Sequence, residues 1–433
     1  MNKHAPTAVL VLLACALGLP GRTVKAPDLD KRVSAMVQDI TPGLIALRRD
    51  IHAHPELSGR EFRTSALVAE AFRKLGLEVR TGIAGTGVLG VLRGGKPGPV
   101  VGIRADMDAL PLTEETGLDF ASHEHGEVDG RPCGVMHACG HDIHTALLVG
   151  EAEILARLRA DLRGTILFVA QPAEEDGDGA RQMLADGVFH DLRPEAMFAF
   201  HVHDQVRAGM ITYIPGFAAA NCDGFRLTIK SEGCHGSAPA LCVDPIVVGA
   251  QVVLALQVMV SREIDVQDKT VVTVGAFHAG SASNIIPDRA VLQATVRSYG
   301  EDQRRVLRRK IERLIEGQCR AAGADSELDY QFGTASLYND PALLRHIRPT
   351  VERVLGGGEF LKEDPPEMGG EDFSYFSREV PSVMLYLGVL PADLDRTSLH
   401  SPTFRADEAA IPLGVKVMTS VVIDYLFDPL RRE

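Results

Sequence analysis

At 433 residues the chain exceeds what one hydrophobic core usually serves, roughly 250–300 residues, so more than one domain is expected. Its 45 Lys and Arg against 58 Asp and Glu leave a net charge of −13, which argues against nucleic acid or an anionic membrane surface as the main partner. Seven Cys are too few for a disulfide scaffold in a chain of this length.

Lys3 and His4 precede an apolar run from Ala5 to Leu19 that Pro20 and Gly21 end. With Val24-Lys25-Ala26 after it, this basic head, apolar stretch and small-residue site fit a secretory signal peptide over residues 1–26. Pro27 disfavours a cut directly after Ala26. Leu12-Leu13-Ala14-Cys15 loosely resembles a lipoprotein box, so a lipid-anchored form through Cys15 is a second reading. An exported chain, periplasmic or secreted, is the expectation. A second apolar run, Ile246 to Val260, falls short of the roughly 20 residues a span needs, and Asp244 and Arg262 bracket it; a buried helix is the better reading.

From Asp30 to about Leu75 the pattern is helical, with Val68, Ala71, Phe72 and Leu75 on one face. Strands are then read at 88–92, 100–105, 165–170, 196–201 and 383–387, with helices at 143–158 and 412–427. Continuous apolar strands alternating with helices predict an α/β fold, a parallel-rich sheet covered on both faces. Between Asn221 and Phe332 the order changes to strand 225–230, helix 245–263, strands 271–277 and 290–297, helix 301–322 and strand 327–332. That βαββαβ order is the ferredoxin-like motif, a complete small α+β domain. The expected division is 27–216 and 334–433 for the larger domain, with 217–333 inserted.

Met136-His137-Ala138-Cys139-Gly140-His141-Asp142 places a thiol and an imidazole two residues apart just before a helix, where a helix N-terminus or a metal favours the thiolate. Gln171-Pro172-Ala173-Glu174-Glu175 follows a strand directly; adjacent residues on extended backbone face opposite ways, so one Glu can ligate while its neighbour meets water. His201 ends another strand, Asp106 and Asp108 a third, and His400 follows the late strand. In parallel α/β sheets ligands gather outside the carboxyl ends of the strands, and most of these residues fall there. His52 and His54 are read as shaping a helix turn, and His137 and His144 as flanking the site. Cys222, Cys234 and Cys242 cluster and could include a bridge, whose pairing spacing does not decide. Gly85 to Gly95 lacks the Lys and helix of a phosphate loop.

These motifs, from Arg48-Arg49-Asp50-Ile51-His52 through His235-Gly236-Ser237, Asn284-Ile285-Ile286-Pro287-Asp288 and Gly369-Gly370-Glu371-Asp372-Phe373 to His400-Ser401-Pro402, span nearly the whole mature chain. They resemble the hippuricase and auxin-conjugate hydrolase branch of the aminoacylase/carboxypeptidase-G family of two-metal amidohydrolases. The resemblance implies hydrolysis of an N-acyl amino acid. It makes Cys139, His141, Glu175, His201 and His400 the ligands of two divalent ions, Cys139 bridging, and Glu174 the general base. Thiolate, imidazole and carboxylate suit Zn, with Mn, Co or Ni acceptable on ligand type. His235 matches an inserted-domain histidine that stabilises the oxyanion in a partner subunit's site, Asn284 a residue at the substrate's carboxylate end, and Asp106 and Asp108 residues that orient the ligands. A homodimer with the inserted domain as lid and dimerisation unit is therefore expected.

Departures lie around His235. Where the family commonly shows Gly-Gly-His-Gly-Ala-Met-Pro-His, this chain has Gly233-Cys234-His235-Gly236-Ser237-Ala238-Pro239-Ala240, and Asp176 stands where a Gly is usual after Glu175. Substrate preference is open at these positions. Two rivals stand beside the amidohydrolase: an exported carboxypeptidase or dipeptidase of the same family, and a non-catalytic amino-acid-binding protein. The latter predicts loss of a ligand or the base, yet all six positions are filled.

Overall fold

The computed structural model describes residues 27–356, 360–362 and 366–431, so the predicted signal segment and Cys15 lie outside the described residues. An eight-stranded sheet runs in the order Glu78–Ile83, Gly87–Arg93, Arg163–Gln171, Lys96–Asp106, Ala196–Arg207, Ser382–Leu390, Ile211–Tyr213, Phe360–Lys362. The four middle strands, from Arg163–Gln171 to Ser382–Leu390, are mutually parallel. Antiparallel pairings flank them on either side. Arg163–Gln171 and Ser382–Leu390 are buried almost throughout and the other two over about half their length, which is why they read as apolar runs. One face packs against the helices Pro27–Ala53, Phe62–Lys74, His141–Arg157, Pro341–Leu355 and Ala410–Phe427; the other packs against Gly179–Ala185 and Ser374–Glu379.

The helical pattern predicted over 30–75 proves to be two helices, Pro27–Ala53 and Phe62–Lys74. Pro55 withdraws a backbone donor just past the first, and Gly59 takes a left-handed φ of 71° between them.

A second, four-stranded antiparallel sheet runs Val271–Ala279, Arg289–Ser298, Asn221–Lys230, Asp325–Gln331, with the helices Pro245–Glu263 and Glu301–Ala322 packed on it around a core of their own. The chain leaves and rejoins the large sheet side by side, since Gly216–Ala219 pairs with Leu337–Asn339. Buried Arg304 clasps Asp223 through Nε at 2.9 and 3.0 Å and through Nη2 at 2.5 Å, locking the second helix onto the sheet. Asp244 caps the first helix by accepting from the N–H of Ile246 at 2.9 Å, with Pro245 in the first turn. The expectation of a buried helix at 246–260 is corrected in part. Val248, Val252, Leu256 and Met259 face the core, but Ile246, Val247, Leu254 and Val258 are exposed, Leu254 by 68%.

Candidate metal centre and active site

Loops at the carboxyl ends of the middle strands supply the site. After Gln171 the chain turns at Ala173, whose left-handed φ of 51° puts Glu174 and Glu175 in a turn. The expectation that extended backbone would send the two carboxylates to opposite sides is thus corrected: the turn leaves a carboxylate oxygen of each within 4.8 Å of the other and of His141. Glu175 Oε1 lies 3.5 Å from His400 Nε2 and 3.9 Å from His141 Nε2. Glu174 Oε1 accepts from the Asp372 N–H at 3.3 Å.

Gly140 sits between Cys139 and His141 with φ 79°, and a Cβ there would fall 2.6 Å from Val202 Cγ2. That left-handed turn lets thiol and imidazole enter one site, and only glycine fits it. Cys139 Sγ is 3.5 Å from His201 Nε2. The strand carrying His201 does not end there as predicted but runs to Arg207 beside Ser382–Leu390. Its other neighbour stops pairing at Ala199, which uncovers His201 at the sheet's edge. His400 also has left-handed backbone, φ 56°, held by its N–H donating to the Ala138 carbonyl at 2.9 Å. Such backbone costs on the order of 1–3 kcal/mol per residue. Two of the four non-glycine cases among the described residues lie here, so strain is concentrated where function is expected.

Donor atoms of Cys139, His141 and His201 lie within 4.8 Å of one another, as do those of Cys139, Glu175 and His400. The two triads share one sulfur. His141 Nε2 and Glu175 Oε1 are buried without a hydrogen-bond partner. Leaving a buried polar atom unpaired costs about 1–3 kcal/mol, and two such atoms facing each other call for a cation. His201 Nδ1 donates to the Val202 carbonyl at 2.7 Å, and His141 Nδ1 donates to the Asp108 carbonyl at 2.9 Å, so each ring turns its Nε2 lone pair inward. Thiol, imidazole and carboxylate in this arrangement fit a pair of divalent cations.

The electrostatics agree. Burial and the neighbouring Glu175 push the Cys139 thiol well up, against the pull of His141. Burial, Glu371 and Glu175 push Glu174 well above the usual carboxylate range. Burial also raises Glu175 against the pull of His141. His400 is pushed down by burial and by His141 and His201, which favours the free base a ligand needs. Against its burial, Asp106 and Cys139 raise His141 well above the ordinary imidazole range, so the cluster favours positive charge.

Asp108 and Asp106 hold the cluster in place. Asp108 Oδ2 accepts from Ser58 Oγ at 2.6 Å and from the Glu175 N–H at 3.0 Å, while its Oδ1 lies 3.2 Å from His141 Nδ1. Asp106 Oδ1 is 2.6 Å from His144 Nδ1. His144 Nε2 accepts the Val202 N–H at 2.9 Å, so its Nδ1 carries the proton, and burial depresses its pKa to about 4. His52 does more than shape a turn: buried Nδ1 lies 2.7 Å from Asp142 Oδ2 and Nε2 3.2 Å from Glu114 Oε1, tying the first helix to the helix behind the site.

His235 and Asn284 are not part of this cluster. Both are exposed and line a separate cleft of about 900 Å³ on the small sheet. A larger cleft, about 1070 Å³, opens between the two sheets, with Glu174, Glu175 and His400 on one wall and Cys222, Thr295, Arg297 and Phe332 on the other.

Peptidase family M20/M25/M40 matches residues 102–424, more than half of the chain. The chain belongs to that family. Among M20 relatives, thermostable carboxypeptidase 1 of Saccharolobus solfataricus is 36% identical over 392 residues, 89% of this chain and 96% of the relative. N-acetylcysteine deacetylase of Bacillus subtilis is 35% identical over 381 residues, 88% and 96% of the two chains. The solved structure of a dinuclear metal-binding M20 peptidase from Bacillus subtilis matches with a TM-score of 0.76 at 31% identity, covering 90% of this chain and 99% of that one. The M20 chain is therefore a hydrolase of the amidohydrolase and peptidase class.

Sequence reasoning gave no role to Arg104, Glu371 and Asp372 of this M20 site. Arg104, fully buried, reaches Asp106 at 2.7 Å and Glu371 and Asp372 at 3.0 Å each, and donates from Nε to Gln171 at 2.7 Å. It carries the charge that lets these carboxylates crowd Glu174. A guanidinium inside an otherwise apolar strand was the signal available.

Proposed function

We propose that this M20 hydrolase cleaves the amide bond of N-acyl amino acids at a pair of divalent cations, zinc by preference, held by Cys139, His141, His201, Glu175 and His400. The observation that carries the reading is the pair of buried, unpartnered atoms, His141 Nε2 and Glu175 Oε1, beside a shared thiol. Two cations there would acidify a water and polarise the scissile carbonyl. Glu174 takes the proton of the attacking water and passes it to the leaving amine, a role suited to a carboxylate whose affinity for protons burial has raised. Asp108 and Asp106 orient the ligands, and Arg104 fixes the loop whose Asp372 N–H holds Glu174.

His235 and Asn284 serve from outside the cluster, in a homodimer where the segment 217–333 acts as ferredoxin-like lid and dimer interface. The exposed Ile246, Val247, Leu254 and Val258 and the free edge of strand Val271–Ala279 support that arrangement. The disulfide between Cys234 and Cys242 supports export to an oxidising compartment. A second reading, a carboxypeptidase, is favoured by the 36% identity to a relative of that name. Initial rates on hippurate, N-acetyl amino acids and dipeptides separate the two; faster turnover of dipeptides than of every acylated amino acid would overturn the first.

A further inference from the structure

We propose that the Cys234–Cys242 disulfide is a positioning clamp that holds His235 in catalytic register, so that full turnover requires the oxidised bridge. The inference rests on the role given above to His235.

The bridge joins residues eight apart and encloses His235. Little else holds this loop. Its helical turn, Pro239–Leu241, buries no residue, and Leu241 is 77% exposed. Cys234 and His235 pair with Ile286 and Ile285 in a ladder only two residues long, and the Gly236 N–H donates to the Asn284 carbonyl at 2.8 Å. So short a ladder is marginal without further support.

The ring of His235 is oriented from inside the loop. Its Nδ1 accepts from the Ser237 N–H at 3.1 Å, with Ser237 Oγ at 2.8 Å. The proton of the neutral ring then sits on Nε2, the donor that a developing oxyanion needs. That tautomer depends on the turn from 235 to 237, and the turn depends on closure at Cys242. Cys234 and Ser237 are both positions where this chain departs from the pattern it resembles, and Met and the second His of that pattern are absent.

A trialkylphosphine tests this. It attacks one sulfur and breaks the S–S bond; water then releases the phosphine oxide, leaving two thiols. Steady-state kcat and KM and metal content are measured for wild type before reduction, after it and after reoxidation, and for Cys234→Ser/Cys242→Ser and His235→Ala. Reduction is expected to lower kcat by about tenfold to a hundredfold, as for a small misplacement of a catalytic group, with KM and metal content held and kcat restored by reoxidation. The double variant should show the same loss and ignore phosphine. In His235→Ala, reduction should cost nothing more, since the bridge acts through that ring. Unchanged kcat in the reduced enzyme and the double variant, with only the melting temperature lowered, would overturn the clamp while leaving His235 in place. Full kcat in His235→Ala would overturn the reading of that histidine and the clamp with it.

Discussion

At Glu174 a carboxylate is crowded by Glu371, Glu175 and Asp372 and is accepted into the fold only because Arg104 balances its neighbours. Removing its basicity should stop proton transfer without emptying the site. Glu174→Gln is expected to lower kcat by roughly 10²–10⁴ with metal content unchanged, and wild-type rates in that variant would remove it from the chemistry. Asp108 acts through others: it orients His141 and receives the Glu175 N–H. Asp108→Ala should weaken metal affinity by about 10–100-fold, read by competition with a chelating dye. The residues brought together here were legible because a thiol, imidazoles and carboxylates recurred where strands end. Arg104 and Glu371 were not, because their work is electrostatic and appears only once four segments meet. His235 and Asn284 stood out by resemblance, yet one chain alone does not bring them to the cluster.

At the scale of elements, the central strands and most helices were legible because burial on both faces leaves unbroken apolar runs. Glu78–Ile83 was not, since it is an edge strand exposed at most positions. The helix Pro341–Leu355 was passed over although Asp340 caps it, accepting from the N–H of Ala342 at 2.9 Å. Two substitutions test how elements are held. Arg304→Ala strands Asp223 inside the small sheet and should cost about 3–5 kcal/mol in denaturant unfolding. Glu151 lies buried on the helix His141–Arg157 beside a small cavity, and burial alone raises its pKa well above the ordinary 4.5. The folded state therefore binds this proton more tightly than the unfolded chain. Stability falls as pH rises from 4.5 toward the raised value, and the penalty persists above it. Glu151→Gln should raise the melting temperature at neutral pH and lose that gain below about pH 4.5, where both states of the wild type are protonated. An equal gain at every pH would show that charge is not the cause.

For the whole molecule, two sheets with separate cores face each other across a cleft, and the cluster sits on one wall. The α/β class with a parallel-containing central sheet was readable from periodicity; the partly bare helix at 245–263 was not, because an apolar run looks alike whether core or partner covers it. In the proposed dimer, Leu254→Glu with Val258→Glu should shift the mass in solution to the monomer and lower turnover together, by analytical ultracentrifugation and assay. A dimer surviving both charges would place the interface elsewhere. The account stands most directly on metal stoichiometry. Elemental analysis of purified protein should find two divalent ions per chain in wild type and no more than one in Cys139→Ala, whose sulfur both triads share. Two ions retained without that sulfur, or full turnover in metal-free wild type, would contradict it.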